Sequence, residues 1–125
     1  MKLHLDKAAG EFRISGYTAD AVVVNEVPQN GPVIISVHSE PQPWTPENAQ
    51  QIDAEAVAHL LALEPEVVLI GTGARQHFPD MQLFRDFYAR GVGVEIMDTN
   101  AACRTFNIVA AEGRRVIAGL LPPTA

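Results

Sequence analysis

A chain of 125 residues is near the modal size of one domain, and its 47% hydrophobic and 19% charged residues are those of a folded globular protein, not a disordered one. Fifteen acids against nine lysines and arginines give a formal charge of −6, which argues against sequence-independent binding to nucleic acid, since that needs a basic surface. The single cysteine, Cys103, excludes an internal disulfide and a multi-thiolate metal site, and fits a reducing compartment.

Met1 to Asp6 carries neither the apolar segment of a signal peptide nor the Arg/Ser-rich character of a transit peptide. No apolar run approaches the roughly 18–20 residues that span a bilayer. The expectation is one soluble, cytoplasmic domain over residues 1–125.

The first forty residues are rich in turn signals. Phe12, Ile14 and Gly16 alternate with Arg13 and Ser15, the period-two pattern of a half-exposed strand. Tyr17 to Asp20 then turns, and Ala21 to Val24 returns as an antiparallel partner. After a second turn at Asn30-Gly31-Pro32 comes the β-branched run Val33 to Val37. These strands form either a small antiparallel layer or edge strands of a later sheet.

Thr45-Pro46-Glu47 reads as the start of a helix: an N-cap, a proline at the first helical position and an acid at the positive end of the dipole. That helix carries Ile52, Ala56, His59, Leu60 and Leu63 on one stripe and stops before Pro65, with Trp44 packing back onto it.

From residue 67 the pattern is regular. Val67 to Ile70 is a charge-free strand of the kind buried on both faces of a parallel sheet. A helix over about 80–90 places Met81, Phe84 and Tyr88 on one stripe, and Gly91 and Gly93 end it. Val94 to Met97 is a second strand, Asn100 to Glu112 a helix opened by Asp98-Thr99 and stopped by Gly113, and Val116 to Leu121 a third strand. The series βαβαβ with right-handed crossovers makes three neighbouring parallel strands. The fold class is therefore α/β, three-layered, with a central mixed sheet and an N-terminal antiparallel element.

Open α/β sheets keep their binding crevice at the carboxyl ends of parallel strands. Gly71, Thr72 and Gly73 lie there, followed by Arg75. They do not form a nucleotide fingerprint: the third glycine of G-x-G-x-x-G is replaced by Gln76, and the P-loop lysine is absent. The turn reads as one wall of a crevice, and the start of the third helix as the other. Asp98 or Thr99 caps that helix, Arg104 and Asn107 share a polar strip with Asn100, and Ala102, Phe106, Val109 and Ala110 form the apolar side.

Cys103 sits where a helix dipole can lower a thiol pKa, with His77 as the nearest base, but a cysteine among alanines also serves as a small core residue. His4, His38, His59 and His77 lack metal-type spacing, and no metal or cofactor is implied. Arg114 and Arg115 sit at the negative end of the third helix, where cations are favoured.

Gly71 to Gln76, Glu95 to Asn107 and Ala110 to Val116 together resemble the small bacterial and archaeal proteins related to mitochondrial complex I (NADH:ubiquinone oxidoreductase) assembly factor 3. The resemblance covers most of the chain from about residue 10. It implies a three-layer β/α fold with a central mixed sheet, an additional antiparallel element and helices on the faces; the eukaryotic members of the family are assembly factors without an established reaction. It supplies no catalytic residues.

The leading expectation is a non-enzymatic binding or assembly module with protein partners, a second copy of itself among the candidates, whose candidate crevice comprises Gly71, Thr72, Gly73, Arg75, Asp98, Thr99, Cys103, Arg104 and Asn107. The alternative is a small-molecule enzyme that uses Cys103 or the carboxylates beside the same turn.

Overall fold

A strand with apolar residues at every position needs cover on both sides, and Val67–Gly71 receives it. In the computed structural model, which describes residues 10–125, this strand is buried throughout. His4 and the Met1–Asp6 segment lie outside the described residues.

In chain order the elements are β1 (Ile14–Tyr17), β2 (Val22–Val24), β3 (Val27–Gln29), β4 (Val33–Ser36), β5 (Gln42–Pro43), a 3₁₀ turn (Ala49–Gln51), α1 (Ala54–Leu61), β6 (Val67–Gly71), a second 3₁₀ turn (Met81–Phe84), α2 (Arg85–Ala89), β7 (Gly93–Met97), α3 (Thr99–Ala111) and β8 (Val116–Leu120).

Five strands form a mixed sheet in the order β5-β4-β8-β6-β7. β6 pairs in parallel with both β7 and β8, so the three parallel neighbours expected from the βαβαβ pattern are present. β4 closes onto β8 antiparallel, with Ile34 opposite Gly119. β1, β2 and β3 make a separate antiparallel sheet. Both arrangements open to the early strands are thus used: β1 and β2 enter the small layer, and β4 enters the main sheet.

Alternate residues of β6 feed two cores. Val67 and Leu69 face Ala102, Cys103, Phe106 and Ala110 of α3, together with Ile14, Val22 and Val24 of the small sheet. Val68 and Ile70 face Ala56, Val57 and Leu60 of α1, with Phe84, Phe87 and Trp44. The Trp44 indole N–H donates to the Ala56 carbonyl at 3.0 Å, which fixes the ring against α1. A Cβ on Gly119 would lie 2.9 Å from that ring, so glycine is what admits it.

Three local expectations are corrected. α1 starts at Ala54, capped by Asp53, whose side chain accepts from the Ala56 N–H; the Thr45-Pro46-Glu47 signal leads only into the short 3₁₀ turn capped by Asn48. His59 is exposed, because the buried stripe of α1 runs through Ala56, Val57 and Leu60. The helix over 80–90 opens as a 3₁₀ turn, which shifts its phase: Phe84 and Phe87 go inward, in edge contact at 5.3 Å, while Tyr88 is 52% exposed.

Candidate functional site

The two expected walls of the strand-end crevice meet directly. Asp98 caps α3 by accepting the Ala101 N–H at 2.9 Å, which sets Thr99 at the first helical position. From there the Thr99 hydroxyl accepts the Gly73 N–H at 2.8 Å and donates to the Leu121 carbonyl at 2.7 Å, while the Thr99 N–H donates to the Gly73 carbonyl at 2.9 Å. Thr99 is fully buried.

Gly71 and Gly73 permit this approach for different reasons. A Cβ on Gly71 would come within 2.8 Å of Leu120 and 3.0 Å of Thr99, so the strand end has no room for one. Gly73 has φ +96°, a conformation that disfavours side chains, and its added Cβ would strike the Ala125 carbonyl. The Ala74 N–H donates to that same carbonyl at 3.1 Å, so the segment after β8 lies over the turn.

Thr72 braces the loop that follows. Its N–H donates to the Met97 carbonyl at 2.9 Å, its hydroxyl donates to the Arg75 carbonyl at 2.6 Å, and the His77 N–H donates back to that hydroxyl at 3.0 Å. The Gln76 amide nitrogen adds a bond to the Ile96 carbonyl on β7 at 2.9 Å. The loop is held from three points, yet Arg75, His77 and Phe78 remain exposed, Phe78 by 65%.

The other candidate residues turn elsewhere. Cys103 points into the core with 1% exposure, and burial pushes its thiol up to about 12; Arg104 lowers it and Asp98 raises it by smaller amounts. A thiol held protonated is a poor nucleophile. Arg104 is exposed and donates to the Tyr17 hydroxyl at 2.8 Å, and Asn107 bonds the backbone of Ile14. The polar strip of α3 therefore faces β1. Gly71, Thr72, Gly73, Asp98 and Thr99 are brought together; Cys103, Arg104 and Asn107 are not joined to them.

Two concave spaces are lined by other residues. A cavity of about 310 Å³ lies near the amino ends of β6 and β8, walled in part by Arg13, Arg114 and Arg115. The sequence signal for it was the Arg114-Arg115 pair, which reads as service to the helix dipole. A second hollow, of about 380 Å³, separates Ala49–Ile52 from His77–Asp80. Among the described residues no helix is long and apolar enough to cross a membrane.

A three-layer β/α scaffold with a self-bonded strand end and one braced, exposed loop defines the class of molecule. The chain belongs to the family described as "Protein of unknown function (DUF498/DUF598)", which it matches over residues 14–121. It is 34% identical over 119 residues to human NADH dehydrogenase (ubiquinone) 1 alpha subcomplex assembly factor 3, covering 94% of this chain and 64% of that protein. The chain thus spans under two thirds of that relative's length.

A Francisella tularensis protein named "13 kDa major membrane protein" is 29% identical over 118 residues, covering 93% of this chain and 95% of its own. A crystal structure of a Bordetella parapertussis protein matches with a TM-score of 0.87 and 38% identity, over 92% of this chain and 98% of the other.

Proposed function

We propose that this chain is a non-enzymatic binding module that serves the assembly of a respiratory complex by holding a protein partner, and that it acts in the cytoplasm. The observation that carries this reading is the loop after β6. Thr72 and Gln76 fix it from behind while Arg75 and Phe78 project outward. An exposed aromatic residue and an arginine on one braced loop are residue types enriched at protein interfaces, and the bracing lowers the ordering entropy lost on docking. The name of the human relative supports the choice of partner.

In this reading the candidate residues divide by duty. Gly71, Thr72, Gly73, Asp98 and Thr99 form the mount, and Cys103 and Asn107 hold α3 in place. Arg75 and Arg104 belong to the surface offered to the partner. The test is capture of partners by the full chain from its native cell. Recovery of NADH dehydrogenase subunits, and their loss with Arg75→Ala/Phe78→Ala at unchanged stability, is the expected result. Capture that leaves those subunits behind, or a double variant that still retains them, overturns the reading. An Arg104→Ala chain that folds and keeps full capture removes Arg104 from the surface.

A further inference from the structure

The cavity near the amino ends of β6 and β8 is independent of that loop and lies in an electrostatic setting unlike the rest of the chain. Its volume of about 310 Å³ is at the lower end of the range of about 300–1,000 Å³ typical of small-molecule sites. Arg13, His38, Arg114 and Arg115 line it, beside Glu11 and Glu66. Of the nine lysines and arginines, Lys2 and Lys7 lie outside the described residues, and three of the remaining seven line this one cavity. With its two carboxylates the wall carries a formal charge of +1, in a protein of −6.

Glu11 pairs with Arg13 at 3.1 Å, and Glu66 accepts the Arg115 backbone N–H at 2.7 Å. Three of the last-turn carbonyls of α3 have backbone partners: Ile108 and Val109 accept the Glu112 N–H, and Ala110 accepts the N–H of Gly113, which adopts φ +81°. Among the described residues, neither Arg114 nor Arg115 has an ion-pair partner. Both arginines are exposed residues at this concave wall, and a guanidinium matches the two oxygens of an oxyanion.

We infer that this cavity binds a small organic anion, with its carboxylate or phosphate on Arg114 and Arg115 and a short apolar body against Val37, Leu63 and Val116, which line the same space. Ser36 and Ser39 supply hydroxyls at the wall for a further polar group.

The test uses the isotopically labelled full chain, titrated separately with inorganic phosphate and with glutarate while backbone amide signals are followed. Saturable shifts at Ser39, Gly113, Arg114 and Arg115 are expected with at least one probe, and the tighter of the two identifies the head group. Arg114→Gln/Arg115→Gln weakens that binding about tenfold or more, the usual size of a lost charge-assisted contact. Ser39→Trp, at an exposed position on the wall, does the same by filling the space without touching the arginines. The inference is overturned if neither probe produces saturable shifts, if Arg75 and Arg90 respond as strongly, or if both variants bind as well as the parent.

Discussion

The Asn107 carboxamide holds both backbone groups of Ile14: its Oδ1 accepts the Ile14 N–H at 3.1 Å and its Nδ2 donates to the Ile14 carbonyl at 2.6 Å. One side chain on α3 thereby reproduces a rung of a β-ladder and fastens the small sheet to the helix. Asn107→Ala leaves both groups of Ile14 without their partner, at a cost of about 2–4 kcal/mol. Urea unfolding measures the loss, and the Ile14 amide, read by hydrogen exchange, should lose protection more than amides of β6.

Thr99 makes a sharper test of the strand end, because its hydroxyl is both acceptor and donor in a buried place. Thr99→Val keeps the shape and removes both bonds, which strands the Gly73 N–H and the Leu121 carbonyl. A loss of about 2–4 kcal/mol is expected. Thr99→Ser keeps the hydroxyl and should cost about 1 kcal/mol for the missing methyl. Equal midpoints for the two variants would show that the hydrogen bonds contribute little.

Gly73→Ala combines a backbone and a steric penalty. The positive φ alone costs about 1 kcal/mol or more, and collision with the Ala125 carbonyl adds to it. Removing Thr124 and Ala125 takes away the second part only. In that shortened background the substitution should cost measurably less than in the full chain, and a double-mutant cycle by chemical denaturation reads the difference.

Cys103 gives a pH signature. Its thiol is raised from 9.0 to about 12 in the folded chain, mainly by burial. The unfolded chain therefore releases this proton first. The associated stability is fully present below about pH 9 and falls as pH rises towards 12, by up to about 1.4 kcal/mol per pH unit. Cys103→Ala lacks that decline and carries a pH-independent packing cost, so the gap between the two stability curves is constant below about pH 9 and changes only on the alkaline side. In the folded protein at pH 8 the thiol should resist iodoacetamide, and in urea it should react.

The parallel half of the fold was legible because its signals are local and agree. The apolar run of β6, the glycine stop at Gly91, the Asp98 cap and Gly113 each mark an element boundary found in the structure. The errors arose where local signals compete. Thr45 and Asp53 are both good caps, and only packing of Ile52 and Ala56 decides that α1 begins at the second. β3 was missed because Pro28 sits within it, opposite Val23, and proline argues against a strand.

The site was half legible. Glycines at a strand end announced a tight turn, but the bond from Gly73 to Thr99 spans 26 residues, and no periodicity encodes it. Arg114-Arg115 reads as a helix-end pair, and no local signal places the pair at one cavity with Arg13, about a hundred residues earlier in the chain.

Because alternate residues of β6 point to opposite sides, the main sheet is a partition between two chambers that share strands but no side chains. Damage in the buried centre of one chamber reaches that of the other through the shared strand backbone. Phe106→Leu, on the buried side of α3, and Phe84→Leu, at the end of the second 3₁₀ turn, should therefore add in the double variant to within about 0.5 kcal/mol. A substitution that loosens the side carrying the small sheet should leave the side carrying Trp44 tight, as hydrogen exchange would read.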